Sequence, residues 1–315
     1  MKKKRSRELF LGNVKIGGGA PISVQSMTKT DTRNTPQTVR QIRQLEKAGC
    51  EIVRLAVPDM EAAKNLGALT RAVSIPLVAD IHFDYKLALE SIRQGIAGLR
   101  INPGNIGSRE KIKAVVGAAQ DHKIPIRIGV NVGSLQKRVL KKYKHPSPEA
   151  MVESALEHIR ILESMQFYDI KVSLKSSDLM DSVRAYRLMH REVDYPLHLG
   201  ITSAGPSFSG TVKSSIGIGM LLAEGIGDTI RVSLTGSPLE EVRVAYEILK
   251  ALKLRSRGPE IISCPTCGRC EMDIPKMVAT IEKKLSTLPR ELKIAVMGCA
   301  VNGPGEAREA DLGVA

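Results

Sequence analysis

Tryptophan is absent from this chain, and four Phe and six Tyr bring the aromatics to only 3% of 315 residues. So thin a supply of stacking surfaces argues against a binder of single-stranded nucleic acid, which seats bases on aromatic faces. Also lacking is any run of roughly 18 apolar residues, so no membrane span is predicted. No apolar stretch of signal-peptide length follows the basic residues 2–7, which read as a solvated, frayed tail. Acidic residues are scarce relative to basic ones, 33 against 47, and the net charge of +14 points to an anionic partner. Cysteine is sparse outside one region: Cys50, at a helix end before an apolar strand, reads as a core thiol. Four clustered thiols fit metal binding in a reducing cytoplasm better than disulfides.

What the chain does have is the stretch Cys264-Pro265-Thr266-Cys267-Gly268-Arg269-Cys270, with Cys299 in a second glycine-rich segment. A C-x-x-C turn presents two sulfurs to one metal centre. Three arrangements satisfy the spacing. One is a structural zinc knuckle. Another is a 4Fe–4S cluster on Cys264, Cys267, Cys270 and Cys299. A third is a cluster on three cysteines with a weaker, exchangeable fourth ligand.

Ahead of the thiols one unit recurs, a short β-branched run followed by a helical segment. Strands are expected at 22–27, 51–57, 76–82, 98–102, 125–131, 169–175, 196–202 and 229–234. Helices are expected at 36–48, 60–72, 85–94, 109–121, 148–164, 178–191, 212–223 and 238–252. Eight alternations predict an α/β fold, a closed (β/α)8 TIM barrel; an open doubly wound sheet would stop nearer six strands. Composition shifts at Arg255-Ser256-Arg257-Gly258-Pro259, which divides a barrel at 1–254 from a small domain at 260–315. The small domain should hold a helix at 274–285 and a strand at 293–297, and about 60 residues need a metal staple.

Residue parity locates the charge. Ile126, Ile128 and Val130 oppose Arg127, Gly129 and Asn131, and Val172 and Leu174 oppose Lys171, Ser173 and Lys175. Helices outside a parallel barrel demand the apolar face, so the polar face points inward. That interior offers Arg54, Asp80, His82, Arg100, Asn102, Arg127, Asn131, Lys175, His198 and Arg231. Such an excess of cations cannot neutralise itself, and an unpaired buried charge is costly. A ligand with two or more phosphates at the mouth of the barrel resolves the imbalance.

Long segments carry a resemblance. Val78-Ala79-Asp80-Ile81-His82-Phe83-Asp84-Tyr85, Leu99-Arg100-Ile101-Asn102-Pro103-Gly104-Asn105, Arg127-Ile128-Gly129-Val130-Asn131 and Pro196-Leu197-His198-Leu199-Gly200-Ile201-Thr202 are among them. So are the thiol loop and Val301-Asn302-Gly303-Pro304-Gly305-Glu306. In these the chain resembles the bacterial 4-hydroxy-3-methylbut-2-enyl diphosphate synthases of the non-mevalonate (MEP) isoprenoid pathway, over essentially its whole length.

The resemblance implies a small α/β domain of the nitrite and sulfite reductase type. It implies a 4Fe–4S cluster on Cys264, Cys267, Cys299 and Glu306, with Cys270 a bystander. Its substrate would be 2-C-methyl-D-erythritol 2,4-cyclodiphosphate, held by Arg54, His82, Arg100, Asn102, Arg127, Asn131, Lys175 and Ser233. Electrons would come singly from reduced flavodoxin or ferredoxin, in a head-to-tail homodimer. The basic run from Lys137 to Lys144 is a candidate docking patch for such a carrier, with a solvated basic loop the simpler reading.

Two departures stand out. The family carries a proton-delivering Glu where this chain has Ser203, and a hydroxyl cannot serve as an acid at neutral pH. Either another group, such as His82 or a displaced Glu306, must then supply the proton, or the chain is slow or inactive. Relatives also run on past Leu312-Gly313-Val314, so part of the small domain is expected beyond Ala315. Two rival readings are a dihydropteroate-synthase-like barrel enzyme and a basic zinc-ribbon protein that binds nucleic acid.

Overall fold

The structure is a computed structural model that describes residues 4–285, 291–301 and 303–314. Two compact units divide between Leu254 and Arg255. The first opens with an antiparallel hairpin, β1 (Leu9–Leu11) and β2 (Val14–Ile16). Then follow β3 (Ser23–Met27), α1 (Thr35–Lys47), β4 (Ile52–Ala56), α2 (Met60–Ala72), β5 (Leu77–Asp80), α3 (Tyr85–Arg93) and β6 (Gly98–Ile101). Next come α4 (Pro103–Ile106), α5 (Arg109–Asp121), β7 (Ile126–Asn131), α6 (Lys137–Tyr143), α7 (Pro148–Glu163), β8 (Ile170–Lys175) and α8 (Leu179–Glu192). The unit ends with β9 (His198–Leu199), α9 (Ser207–Ala223), β10 (Thr229–Ile230) and α10 (Pro238–Ala251).

Strands β3 to β8 pair in chain order, all parallel, and β10 lies between β9 and β3. A parallel bridge from Val172 to Leu197 joins β8 to the approach of β9 and closes the ring. All eight expected strands are present, but the last two are short. Their segments stay extended with little ladder, although the Arg231 N–H still reaches the Leu199 carbonyl at 3.0 Å. Local chemistry sets the helix starts: Asn34, Asp59, Asp84, Ser147, Asp178 and Ser237 each cap the helix that follows through their side chains. The apolar parity of every strand faces the helices, and one continuous core runs from Ile22 to Leu249.

Two expectations change in this unit. From Lys4 onward the basic start is docked, not frayed; residues 2 and 3 lie outside the described residues. Lys4 pairs with Asp194 at 2.8 Å, Ser6 Oγ donates to Asp228 at 2.8 Å, and the Arg7 guanidinium lies over Tyr168 and Tyr195. These contacts lead into the hairpin, whose Leu9, Leu11 and Ile16 pack on Ile52 and Val78 at the N-terminal end of the barrel. The basic run is likewise a helix, α6, not a loop. Lys142 pairs with Glu153 at 2.5 Å and Arg138 with Glu157, so α7 offsets part of its charge.

The second unit is β11 (Glu260–Ser263), α11 (Ile274–Leu285), β12 (Lys293–Val296), α12 (Gly303–Arg308) and β13 (Leu312–Val314). Its sheet is parallel in the order β11-β12-β13. The buried members of its apolar cluster are Ile274, Ile294 and Val296, with Ile261, Met277 and Ile281 packed against them.

Candidate active site

Charged side chains converge inside the barrel toward the C-terminal ends of its strands. Arg54 comes from β4, Asp80 from β5, Arg100 from β6, Arg127 from β7 and Lys175 from β8, with Arg231 just past β10. Asp80 is the hub: Arg100 Nη1 lies 3.2 Å from it, His82 Nε2 3.5 Å and Arg54 Nε 3.7 Å. Burial alone would raise the Asp80 carboxyl, but Arg54, the hydrogen bond from His82, Arg100 and Arg127 outweigh it and hold Asp80 well below the usual range. A second carboxylate was not anticipated. Glu241, buried in the first turn of α10, accepts from the Leu234 N–H at 3.1 Å and from Ser26 Oγ at 3.2 Å. It also pairs with Lys29 at 3.1 Å and lies 3.9 Å from Arg231. Its signal in the sequence was weak, because an acid in the first helical turn is ordinarily explained by the helix dipole.

These two carboxylates do not balance the cations. Burial first, and then repulsion from Arg54 and Arg100, pushes Arg127 well below its ordinary value. Burial and the neighbouring arginines do the same to Lys175, and Arg54 is brought down to about 10. Among the described residues Arg127 Nε and Nη1, Arg100 Nε and Arg231 Nε are buried with no hydrogen-bond partner. Buried donors are nearly always satisfied in folded proteins, so this set awaits acceptors. Charged acceptors with several oxygens, such as phosphates, match guanidinium donors best.

Two glycines make room for the cations. A Cβ on Gly129 would stand 2.5 Å from Arg100 Nε, and one on Gly200 would stand 2.8 Å from Lys175 Nζ and 2.6 Å from the Arg231 carbonyl. Around the rim, Asn102 is buried, Asn131 and Ser233 are half-buried, and His82 is about half exposed, at 51%. Ser203 is exposed, with φ of 51°, in the turn after β9.

In the second unit Cys264 directly follows β11, and its N–H donates to the Val296 carbonyl at the end of β12, at 2.9 Å. Cys299 stands three residues beyond β12, and the Gly303 N–H bonds back to its carbonyl at 3.2 Å, leading into α12, which carries Glu306. Cys264, Cys267, Cys299 and Glu306 therefore all lie in segments leaving the C-terminal edge of one parallel sheet. Among the described residues, no three Cys, His, Asp or Glu side chains are close enough to hold a metal ion as they stand. Cys270 is different: its thiol donates to the Met272 carbonyl at 3.2 Å and packs into the small core. The Cβ that Gly298 lacks would fall 2.4 Å from its sulfur.

Comparison with known proteins decides the relationship. Residues 6–246 match the GcpE TIM-barrel domain and residues 260–315 match the GcpE protein C-terminal domain. The chain belongs to the GcpE family. It is 63% identical over 315 residues to the 4-hydroxy-3-methylbut-2-en-1-yl diphosphate synthase (flavodoxin) of Thermodesulfovibrio yellowstonii, covering 100% of this chain and 90% of that protein. Against the enzyme of the same name from Geobacter sulfurreducens it is 60% identical over 313 residues, covering 99% of this chain and 89% of that protein. Among solved structures, Yersinia pestis dihydropteroate synthase aligns with 78% of this chain and 97% of its own, at a TM-score of 0.56 and 13% identity. That likeness shows the fold alone, the (β/α)8 barrel. It does not favour the pterin-enzyme reading, which leaves the thiol unit of the GcpE family unexplained.

Proposed function

We propose that the chain catalyses the reductive ring opening of 2-C-methyl-D-erythritol 2,4-cyclodiphosphate to 4-hydroxy-3-methylbut-2-enyl diphosphate and water, in isoprenoid biosynthesis. The observation that carries this is the surplus of buried cationic side chains, several with unpartnered donor atoms, in a chain that matches relatives of that name nearly end to end. In the reaction one ring C–O bond to phosphate breaks and the neighbouring hydroxyl leaves as water. Two electrons and one proton enter, so the diphosphate gains a negative charge as it is released from the ring.

Arg54, Arg100, Arg127 and Lys175 bind the diphosphate and stabilise that growing charge from fixed positions, with no reorganisation at the moment of cleavage. Their desolvation strengthens each contact with the anion. His82, Asn102, Asn131 and Ser233 supply hydrogen bonds that orient the sugar and the phosphate oxygens. Asp80 fixes Arg54, Arg100 and His82 together from below. His82 also holds the proton, since Ser203 has no acidic group to offer.

Cys264, Cys267, Cys299 and Glu306 would hold a 4Fe–4S cluster. What supports this set is that all four lie in segments leaving the same sheet edge, whereas the Cys270 thiol is engaged in the core. When bound, the cluster supplies electrons singly and a Lewis-acidic iron. The names of the relatives support flavodoxin as the donor, with α6 as its basic docking face. Two copies arranged head to tail would join each barrel mouth to a cluster unit.

Anaerobic purification with iron and sulfide analysis, followed by assay of the cyclodiphosphate with reduced flavodoxin, tests the reading. A brown protein that forms the linear diphosphate is expected. A colourless protein holding one zinc would sink the proposal.

A further inference from the structure

Beside Arg127 the barrel interior holds polar side chains that the substrate contacts do not use. Lys171 points inward from β8, one strand pair across from Arg127, and is 3% exposed. His198 points inward from β9 and is fully buried. Its Nδ1 meets Thr229 Oγ1 at 2.7 Å. Among the described residues neither Lys171 Nζ nor His198 Nε2 has a hydrogen-bond partner, and Arg127 Nε and Nη1 are equally unpartnered.

The groups that act on Lys171 are few. Arg127 on β7 repels a charge there, and Asp228, just before β10, attracts one. Asp228 is already engaged, accepting from Ser6 Oγ at 2.8 Å and from the Leu197 N–H at 3.0 Å. His198 on β9 is held neutral by burial and then by Arg127, Lys175 and Lys171. Burial, with Arg127 adding to it, brings the Lys171 ammonium down to about 7. An anion seated on Arg127 reverses the local field, so the same burial then favours the charged form.

We propose that Lys171 is a positioning residue that takes up a proton when the diphosphate fills the mouth, so that substrate enters together with a proton and the barrel gains a cation beside Arg127 only while an anion is present. This rests on the phosphate-binding reading of the mouth. It gives the chain a cation that is charged with the ligand in place and largely neutral without it, and so avoids adding to the repulsion among the unliganded arginines. It also leaves a charged ammonium in reserve as ring opening adds negative charge to the diphosphate.

The cyclic diphosphate makes a clean probe. Unlike a phosphate monoester it has no second ionisation near neutrality, so a proton taken up on binding comes to the protein. Cluster-loaded full-length protein without reductant is titrated calorimetrically with 2-C-methyl-D-erythritol 2,4-cyclodiphosphate at pH 8, in buffers of different ionisation enthalpy. Lys175 is also held low by burial and the arginines, so the reading is the difference between proteins: wild type is expected to take up about one proton more per bound ligand than either Lys171 variant. Lys171→Arg, permanently charged, is expected to bind within a few-fold of wild type and take up about one proton fewer. Lys171→Met is expected to take up about one proton fewer and to bind on the order of tenfold more weakly. Binding by wild type without proton uptake overturns the proposal, as does undiminished uptake by either variant. If wild type fails to bind at all, checked by equilibrium dialysis, the phosphate-site reading falls and this inference with it.

Discussion

In the barrel a continuous apolar shell from Ile22 to Leu249 encloses an interior crowded with cations, whereas in the second unit Ile274, Ile294 and Val296 must anchor three strands and two helices. The first has cohesion to spare and carries a destabilising charge pattern. The second has little cohesion and carries four of the five cysteines. Destabilising groups thus sit where the fold tolerates them, and the proposed metal ligands sit where the fold needs help. An ion bound only by the folded state adds directly to stability, so the small unit and the cluster proposed for it should rise and fall together.

The sharpest way to break this contrast is Cys267→Ala. Loss of iron, brown colour and all turnover is expected, together with early melting of the small unit and an unchanged barrel transition by calorimetry. A single merged transition would show that the units do not differ as described. Next in size is Asp80→Asn, which leaves Arg54 and Arg100 without their shared carboxylate and should cost about 3–5 kcal/mol of barrel stability in urea. The Asp80 carboxyl is held below its unfolded value, so its contribution is present above about pH 4 and is lost as pH falls through its folded value. The variant's stability should accordingly vary less with pH on the acid side.

Arg127→Met turns the argument round. Affinity for the cyclodiphosphate should fall by about 100-fold, from lost charge-assisted bonds. The melting temperature of the unliganded barrel should nevertheless rise by a few degrees, since a buried, repelled cation is gone. A lower melting temperature would mean that the cations are better paired than their orphaned atoms indicate. Ser203→Glu should raise turnover several-fold with stability unchanged, because the position is exposed and already at positive φ. No gain would leave the proton with His82. Smallest is Cys270→Ala. It should keep iron and colour and lose about 1 kcal/mol of packing in the small unit, and a colourless product would return Cys270 to the ligand set.

The barrel was legible because its signals are local. Strand parity around Arg127 and Lys175 acts within a few positions. The inward cations followed from that same parity. What sequence could not show was pairing across the barrel. Glu241 reaches Lys29 over a sequence distance that no pattern reveals, and Asp80 could be placed inside but not named as the hub. Nor did glycine announce its use: Gly129 and Gly200 look like ordinary strand residues until Arg100 and Lys175 are seen beside them. In the small unit the strands β11 and β13 were missed, because short runs that stay partly or wholly exposed carry no clear alternation.

The β1–β2 hairpin has a consequence for traffic. With Leu9, Leu11 and Ile16 set against Ile52 and Val78, the N-terminal end of the barrel is shut by apolar packing. The charged interior is therefore a blind well with one opening, not a conduit. Whatever comes in with two phosphates must back out past the same rim, and the water released by the reaction shares that route. Arrival and departure compete for a single doorway, so whatever leans over the rim sets the pace for both.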